Sequence, residues 1–173
     1  MTVENQVADS PIEIETSHRC LLGDLTDALC DEAAQGVTGK QLARRASDAL
    51  AALLESGMFQ ECCLPAYLSL APPEFEREIQ LPVACSDTAR LDTRVLLWPV
   101  GAKDGQHPHC DGWATFVAVQ GNLTTEEERG TKRLPQRTIA VGEPNMFVPE
   151  QDVSHHIHNV GHDVGLTIHV FGI

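Results

Sequence analysis

Two histidines one residue apart stand in the run GQHPHCDGWATFVAVQGNL, from Gly105 to Leu123. On a strand, side chains two apart face the same way, so His107 and His109 can reach one point while Pro108 faces outward. That spacing permits a chelate, and neutral imidazoles suit iron, zinc, copper and nickel alike. A third ligand has to come from elsewhere. Five of the eight histidines (His155, His156, His158, His162 and His169) crowd the last nineteen residues. If that stretch is a strand, His155, Ile157 and Asn159 share one face, and His156 and His158 the other. His162 lies in a Gly-His-Asp turn and is expected in solvent. Cys110, beside His109, faces away from the chelate in a regular strand, and only a bulge would turn it inward. Residue types alone leave the pair open between metal ligands and polar residues on a loop before a strand.

The elements that must hold these residues follow from periodicity. Leu21, Leu22, Leu25, Ala28 and Leu29 recur at helical intervals and predict a first helix from His18 to near Gly36. Thr38 and Gln41 have capping-box spacing ahead of a second apolar stripe, Leu42, Ala46, Ala49, Leu50 and Leu53, closed by Gly57. After Pro72-Pro73 come short runs rich in apolar and β-branched residues: FEREIQLPV, RLDTRVLLWPV, WATFVAVQGNL, RLPQRTIAVG, NMFVPE, HHIHNV and VGLTIHVFG. They predict an antiparallel sandwich or barrel with helices kept to one end. Residues 1–16 read as a flexible N-terminus, 17–72 as a helical segment packed on the barrel, and 73–173 as the β-barrel itself.

Composition narrows the partners. A formal net charge of -13 argues against nucleic acid or an anionic membrane surface. No apolar run approaches the ~20 residues of a membrane helix. The acidic opening MTVENQVADSPIEIE lacks the order of a secretory signal, so a cytoplasmic location is expected. Cys20, Cys30, Cys62, Cys63, Cys85 and Cys110 include no CxxC pair and read as thiols, buried as small hydrophobes apart from Cys110.

The spacing also carries a resemblance. Trp98, His107 nine residues on, the His-x-His pair, and QGNL at Gln120 to Leu123 resemble the first motif of the cysteine dioxygenase type of cupin. His155, Ile157 and Asn159 followed by LTIHVFG resemble its second motif and final strand. The likeness spans roughly residues 75 to 173 and implies a small β-barrel, or jelly roll, carrying a mononuclear metal on three histidines. Carried across, His107 and His109 match the paired ligands, His155 the third, and His169 a histidine beside the substrate. Arg77, in FER, resembles the family's strand arginine, with Arg90 as a second candidate for a substrate carboxylate. Trp113 is a third substrate-side candidate if it faces inward. Two departures stand out. The cysteine and tyrosine that mammalian-type members crosslink beside the metal are here Ala114 and Phe171. The glutamate of most other cupin first motifs is missing too, its position falling among Trp113 and Ala114.

What the resemblance implies is an Fe(II)-dependent dioxygenase, with nickel or another divalent metal as alternatives, that uses O2 to oxidise cysteine or a related small thiol amino acid to a sulfinate. Some cupins of antibiotic pathways go further, losing the carboxyl group and forming a sulfonamide. Loss of the crosslink pair and the added helices are compatible with such a member. A phenylalanine at 171 has no hydroxyl to donate to bound oxygen or sulfur. The other expectations are a non-catalytic metal-binding cupin, or a cupin dioxygenase or isomerase on a non-thiol substrate. Either a monomer or a homodimer is compatible with the chain.

Overall fold

The computed structural model describes residues 16–70, 78–108, 112–149 and 152–172. Two helices lead, α1 (Thr16–Ala34) and α2 (Gly39–Glu55), followed by two single turns, α3 (Met58–Cys62) and α4 (Leu64–Leu68). Leu22, Leu25 and Leu29 of α1 and Leu42, Ala43, Ala46, Leu50 and Leu54 of α2 are buried, so both stripes face a core. Gly36 (φ +91) and Gly57 (φ +73) take the left-handed backbone that follows a helix end. Thr38 sits at the N-cap of α2, but its side chain makes no capping hydrogen bond, so the expected capping box does not form. The short turns α3 and α4 were not expected. They bury Phe59 and Tyr67, whose rings stack 5.9 Å apart.

Ten strands follow among the described residues: β1 (Ile79–Ser86), β2 (Leu91–Trp98), β3 (His107–Pro108), β4 (Trp113–Gln120), β5 (Leu123–Arg129), β6 (Lys132–Arg133), β7 (Arg137–Thr138), β8 (Pro144–Phe147), β9 (Val153–Asn159) and β10 (Gly165–Gly172). One antiparallel sheet runs β1-β2-β10-β4-β8, the other β3-β9-β5-β6 with β7 also on β5. The chain leaves the first sheet after β2, β4 and β8 and returns to it at β4, β8 and β10. This shuttling between facing sheets is the jelly roll, or double-stranded β-helix. The fold is therefore mainly β, with a helical segment at the N-terminal end, as expected. The run LTTEEER forms a strand, β5, that does not figure among the expected ones.

The first sheet has two different faces. Outward, Leu91, Val95, Leu97, Trp113, Val117, Val119, Leu166, Ile168 and Val170 merge with the helices into one apolar core. Two hydroxyl pairs join the layers. Thr26 of α1 donates to the Leu22 carbonyl at 2.8 Å, which leaves its oxygen to accept from Thr93, also at 2.8 Å. Ser47 of α2 meets Thr115 at 2.7 Å. Inward, Leu96, Trp98, Phe116, Ala118, Leu123, Ile139, Phe147, Val153 and Ile157 form a second, separate core inside the barrel. At the QGNL turn between β4 and β5, Gly121 (φ +100) would place a Cβ 2.6 Å from the Gly165 Cα, so only glycine fits.

The cysteines divide. Cys63 is buried as expected and Cys30 is half-buried, whereas Cys62 and Cys85 are exposed, a correction set by their places in a short surface turn and on the outermost strand of the sheet. Cys110 lies outside the described residues, as does most of the expected flexible N-terminus.

Candidate metal and substrate site in the barrel lumen

Strand alternation sorts the barrel interior into layers. On β10, Thr167, His169 and Phe171 face the lumen, while Ile168 and Val170 face the helices. Their cross-strand partners extend each layer. Leu96, Thr167 and Ala118 form an inner row; Arg94, His169, Phe116 and Asn145 form the next; Asp92, Phe171, Ala114 and Phe147 form the outermost. On the opposite sheet, Thr125 pairs Ile157 and Glu127 pairs His155, which in turn pairs His107. The closed end is thus apolar and sealed by Asn159. Its amide donates to the Trp98 and Asp163 carbonyls at 2.7 and 2.8 Å, and its Oδ1 accepts the Gly161 N–H at 2.9 Å. Polar side chains are concentrated in the layer above.

His107 and His155 meet in that layer, their ring centroids 4.7 Å apart and tilted 59°. His155 is buried, 4.3 Å from the Phe147 ring and 5.9 Å from Phe116. The Nδ1 of His107 lies 2.9 Å from the Gly105 carbonyl, which only an N–H can satisfy. That assigns the ring proton to Nδ1 and the lone pair to Nε2, the arrangement in which imidazole binds a metal ion. Asp104 supports the same loop. Its Oδ1 accepts the Ile157 N–H at 2.5 Å, and its Oδ2 lies 3.5 Å from His107 Nδ1. Burial pushes the Asp104 carboxyl up to about 6, although the Ile157 hydrogen bond pulls the other way. Among the described residues, no group of three His, Cys, Asp or Glu stands together to hold a metal. A three-histidine set needs His109, which lies outside the described residues, as does Arg77. Two imidazoles on paired strands, their ring centroids 4.7 Å apart, fit a divalent metal in donor chemistry.

His169 is held from below. Thr167 Oγ1 accepts the Trp98 indole N–H at 2.8 Å and lies 2.8 Å from His169 Nε2. The Thr167 proton has no other acceptor among the described residues, so it goes to Nε2, and His169 carries its own proton on Nδ1. The ring stacks on Phe116 at 4.8 Å and on Phe171 at 5.6 Å. Ala114 and Phe171 are direct cross-strand partners. A methyl group beside a phenyl ring therefore occupies the outermost layer.

The other expected residues separate. Trp113 faces the helices, buried in the outer core, because it precedes the inward Ala114 by one residue. Its indole covers Gly172, where a Cβ would lie 2.3 Å from Trp113 Cε2. The expectation that it turns inward toward substrate is corrected by this alternation. Arg90 (φ +52) closes the β1–β2 turn and lines a cavity with Phe171. His156 faces away from His155, as expected. Its Nδ1 meets Gln106 Oε1 at 2.9 Å, and burial, aided by Lys103, holds it below the ordinary histidine range. His162 is exposed.

Reading the sequence missed two groups. Arg94 is the cross-strand partner of His169, hidden in the sequence within an apolar strand. Glu127, the partner of His155, is buried and tied to Arg137, whose Nη2 bridges Glu127 Oε1 and Asn145 Oδ1 at 2.7 Å each. The signal for Glu127 was present in Leu123, Thr125 and Glu127 at alternate positions, but the surrounding acidic residues obscured it.

Strand order defines a double-stranded β-helix barrel, with histidines on its lumen face. Comparison with solved structures finds TT1209 from Thermus thermophilus (17% identity over 60% of this chain and 90% of that one, TM-score 0.49) and the Schizosaccharomyces pombe Cnp3 cupin domain (13%, 61% and 66%, TM-score 0.48). An oxalate oxidase also matches at 15% identity and TM-score 0.49, over 59% of this chain; the chain spans about half (54%) of that protein's length. No protein-family model and no curated protein matches the chain. Among the described residues, no helix is long and apolar enough to cross a membrane.

Proposed function

We propose that this protein is a metal-dependent oxygenase that adds O2 to the sulfur of cysteine or a related small thiol. The observation that carries the reading is the meeting of His107 and His155, 4.7 Å apart, within a lumen lined by Phe116, Phe147 and Phe171. His107, His109 and His155 would hold the ion, Fe(II) in this reading. When bound, it supplies a place where a thiol binds as thiolate beside O2.

The chain's own residues do the rest. Phe116, Phe147 and Phe171 exclude water, which strengthens every polar contact in the site. Ala114, in the layer above the histidines, presents only a methyl group to a substrate. His169, its proton fixed on Nδ1 by Thr167, offers a donor at the lumen wall for charge developing on oxygen. Phe171 contributes bulk and no proton. In the simplest outcome RSH and O2 give RSO2H, with both oxygen atoms on sulfur. Loss of the carboxyl group as CO2, with the amine nitrogen moved from carbon to sulfur and further O2 as the oxidant, would instead mark a sulfonamide product.

The test is oxygen consumption by iron-loaded protein across a thiol panel, with mass spectrometry of the product. A gain of two oxygens means sulfinate, and loss of carbon dioxide with nitrogen retained means sulfonamide. No uptake with any thiol overturns the proposal.

A further inference from the structure

The histidine layer runs one strand further than its two imidazoles. His107 pairs His155, and His155 pairs Glu127, a row across β3, β9 and β5. Directly opposite residues on antiparallel strands share a face, with Cβ atoms ~4.5–5.5 Å apart. Leu123, at an alternate position of β5, packs in the core inside the barrel, so Glu127 faces the lumen too. Glu127 is only 7% exposed. Carboxylate oxygen joins imidazole in many zinc and non-haem iron sites, so the row holds a third side chain of ligand type.

Glu127 is engaged by Arg137. Its Oε1 accepts from Arg137 Nη2 at 2.7 Å and from Nε at 3.2 Å. The same Nη2 donates to Asn145 Oδ1 at 2.7 Å, and Asn145 Nδ2 donates to the Glu143 carbonyl at 3.1 Å. Arg137 stands on β7 beside Thr125, in the second sheet, whereas Asn145 is on β8, at the edge of the first. The guanidinium therefore crosses from one sheet to the other and is held at both ends. Arg129 adds a looser contact, its Nη2 3.6 Å from Oε2 and its side chain exposed. With Arg137 gone, Glu127 would keep its burial and lose its main counter-charge.

We infer that Arg137 is a positioning residue that withholds Glu127 from the metal, so that the lumen site keeps histidine ligands only. Three neutral imidazoles leave a divalent ion its full charge and leave positions open for substrate and oxygen. An anionic fourth ligand would lower that charge and close one position. The inference rests on the metal reading above and adds the device that keeps a carboxylate in the ligand row away from the ion. It accounts for a feature of the layer: His107, His155 and Glu127 share a row, yet among the described residues no group of three stands together to hold a metal.

The test is Zn(II) affinity, read by competition with a chelator; zinc has no redox chemistry, so neither thiol nor oxygen enters the measurement. Arg137→Met should bind Zn(II) at least about tenfold more tightly than wild type, since an opposite charge within ~4–6 Å shifts a charged equilibrium by one to three powers of ten. Arg137→Gln, which keeps a polar side chain, should show the same gain. The double variant Arg137→Met with Glu127→Gln should return to within about threefold of wild type. Structural damage loosens a metal site, so a gain that needs Glu127 is a result a merely structural role would not give. Arg137→Met and Arg137→Gln no tighter than wild type, or a double variant as tight as Arg137→Met alone, would overturn the inference. If the gain is found while no thiol consumes oxygen, the oxygenase reading alone falls. If thiols are oxidised while the Arg137 variants show no gain, the withholding role alone falls. No Zn(II) bound by wild type or variants sinks both.

Discussion

Strand β10 presents two faces to two different interiors. Ile168 and Val170 enter an apolar core shared with α1 and α2; Thr167, His169 and Phe171 enter a lumen where buried polar groups are paired in layers. The outer face needs only volume and apolar surface, and it is joined to the helices by two hydroxyl contacts. Inside, donor and acceptor directions have to be specified: Trp98 donates to Thr167, Thr167 to His169, and His107 to the Gly105 carbonyl. Stability is expected to reside mainly on the first face and chemistry on the second.

Trp113→Ala gives the largest separation. Removing a buried indole from the helix-facing core should cost about 3–5 kcal/mol in chemical denaturation while leaving metal affinity in the folded protein unchanged. A parallel fall in metal affinity would show that the two faces are coupled. Thr167→Val should be smaller in stability, about 1–3 kcal/mol, because it strands the buried Trp98 N–H. Its larger effect is on turnover, since His169 loses the partner that places its proton on Nδ1; turnover equal to wild type would remove His169 from the chemistry. Asp104→Ala removes the acceptor for the Ile157 N–H and a neighbour of His107. Metal affinity, read by competition with a chelator, should weaken about 10–100-fold, the usual cost of losing a group that orients a ligand. Ile168→Val, changing only a methylene on the helix side, should cost about 0.5–1.5 kcal/mol and leave turnover alone.

The outer face was easy to read because apolar periodicity reports volume and little else. Both helices, and six of the seven runs read as strands, fall on or across elements of the structure close to their expected places. The first run, FEREIQLPV, begins outside the described residues and enters β1 only at Ile79. β5 escaped notice because Glu126 and Glu128 on its outer side make LTTEEER look like a loop, although Leu123, Thr125 and Glu127 point inward. Trp113 misled in the opposite way: an aromatic next to a motif invites a functional role, and one step of alternation places it in the other core. The partnership of His107 with His155 was implied by the family resemblance, but that His155 should also pair Glu127, or His169 pair Arg94, depends on strand order. Strand order is set by contacts between residues far apart in the chain, which no local pattern reports.

The comparison turns on whether the lumen face holds a metal through His155. Metal content after anaerobic loading with Fe(II) and desalting, measured for wild type, His155→Ala and His156→Ala, tests this most directly. The account predicts close to one ion per chain for wild type and His156→Ala, and loss of bound metal for His155→Ala. Less than about a tenth of an ion per wild-type chain would contradict it, because a site with three neutral imidazoles should retain metal through desalting. So would retention by His155→Ala with loss in His156→Ala, which would place the ligand on the opposite face of β9.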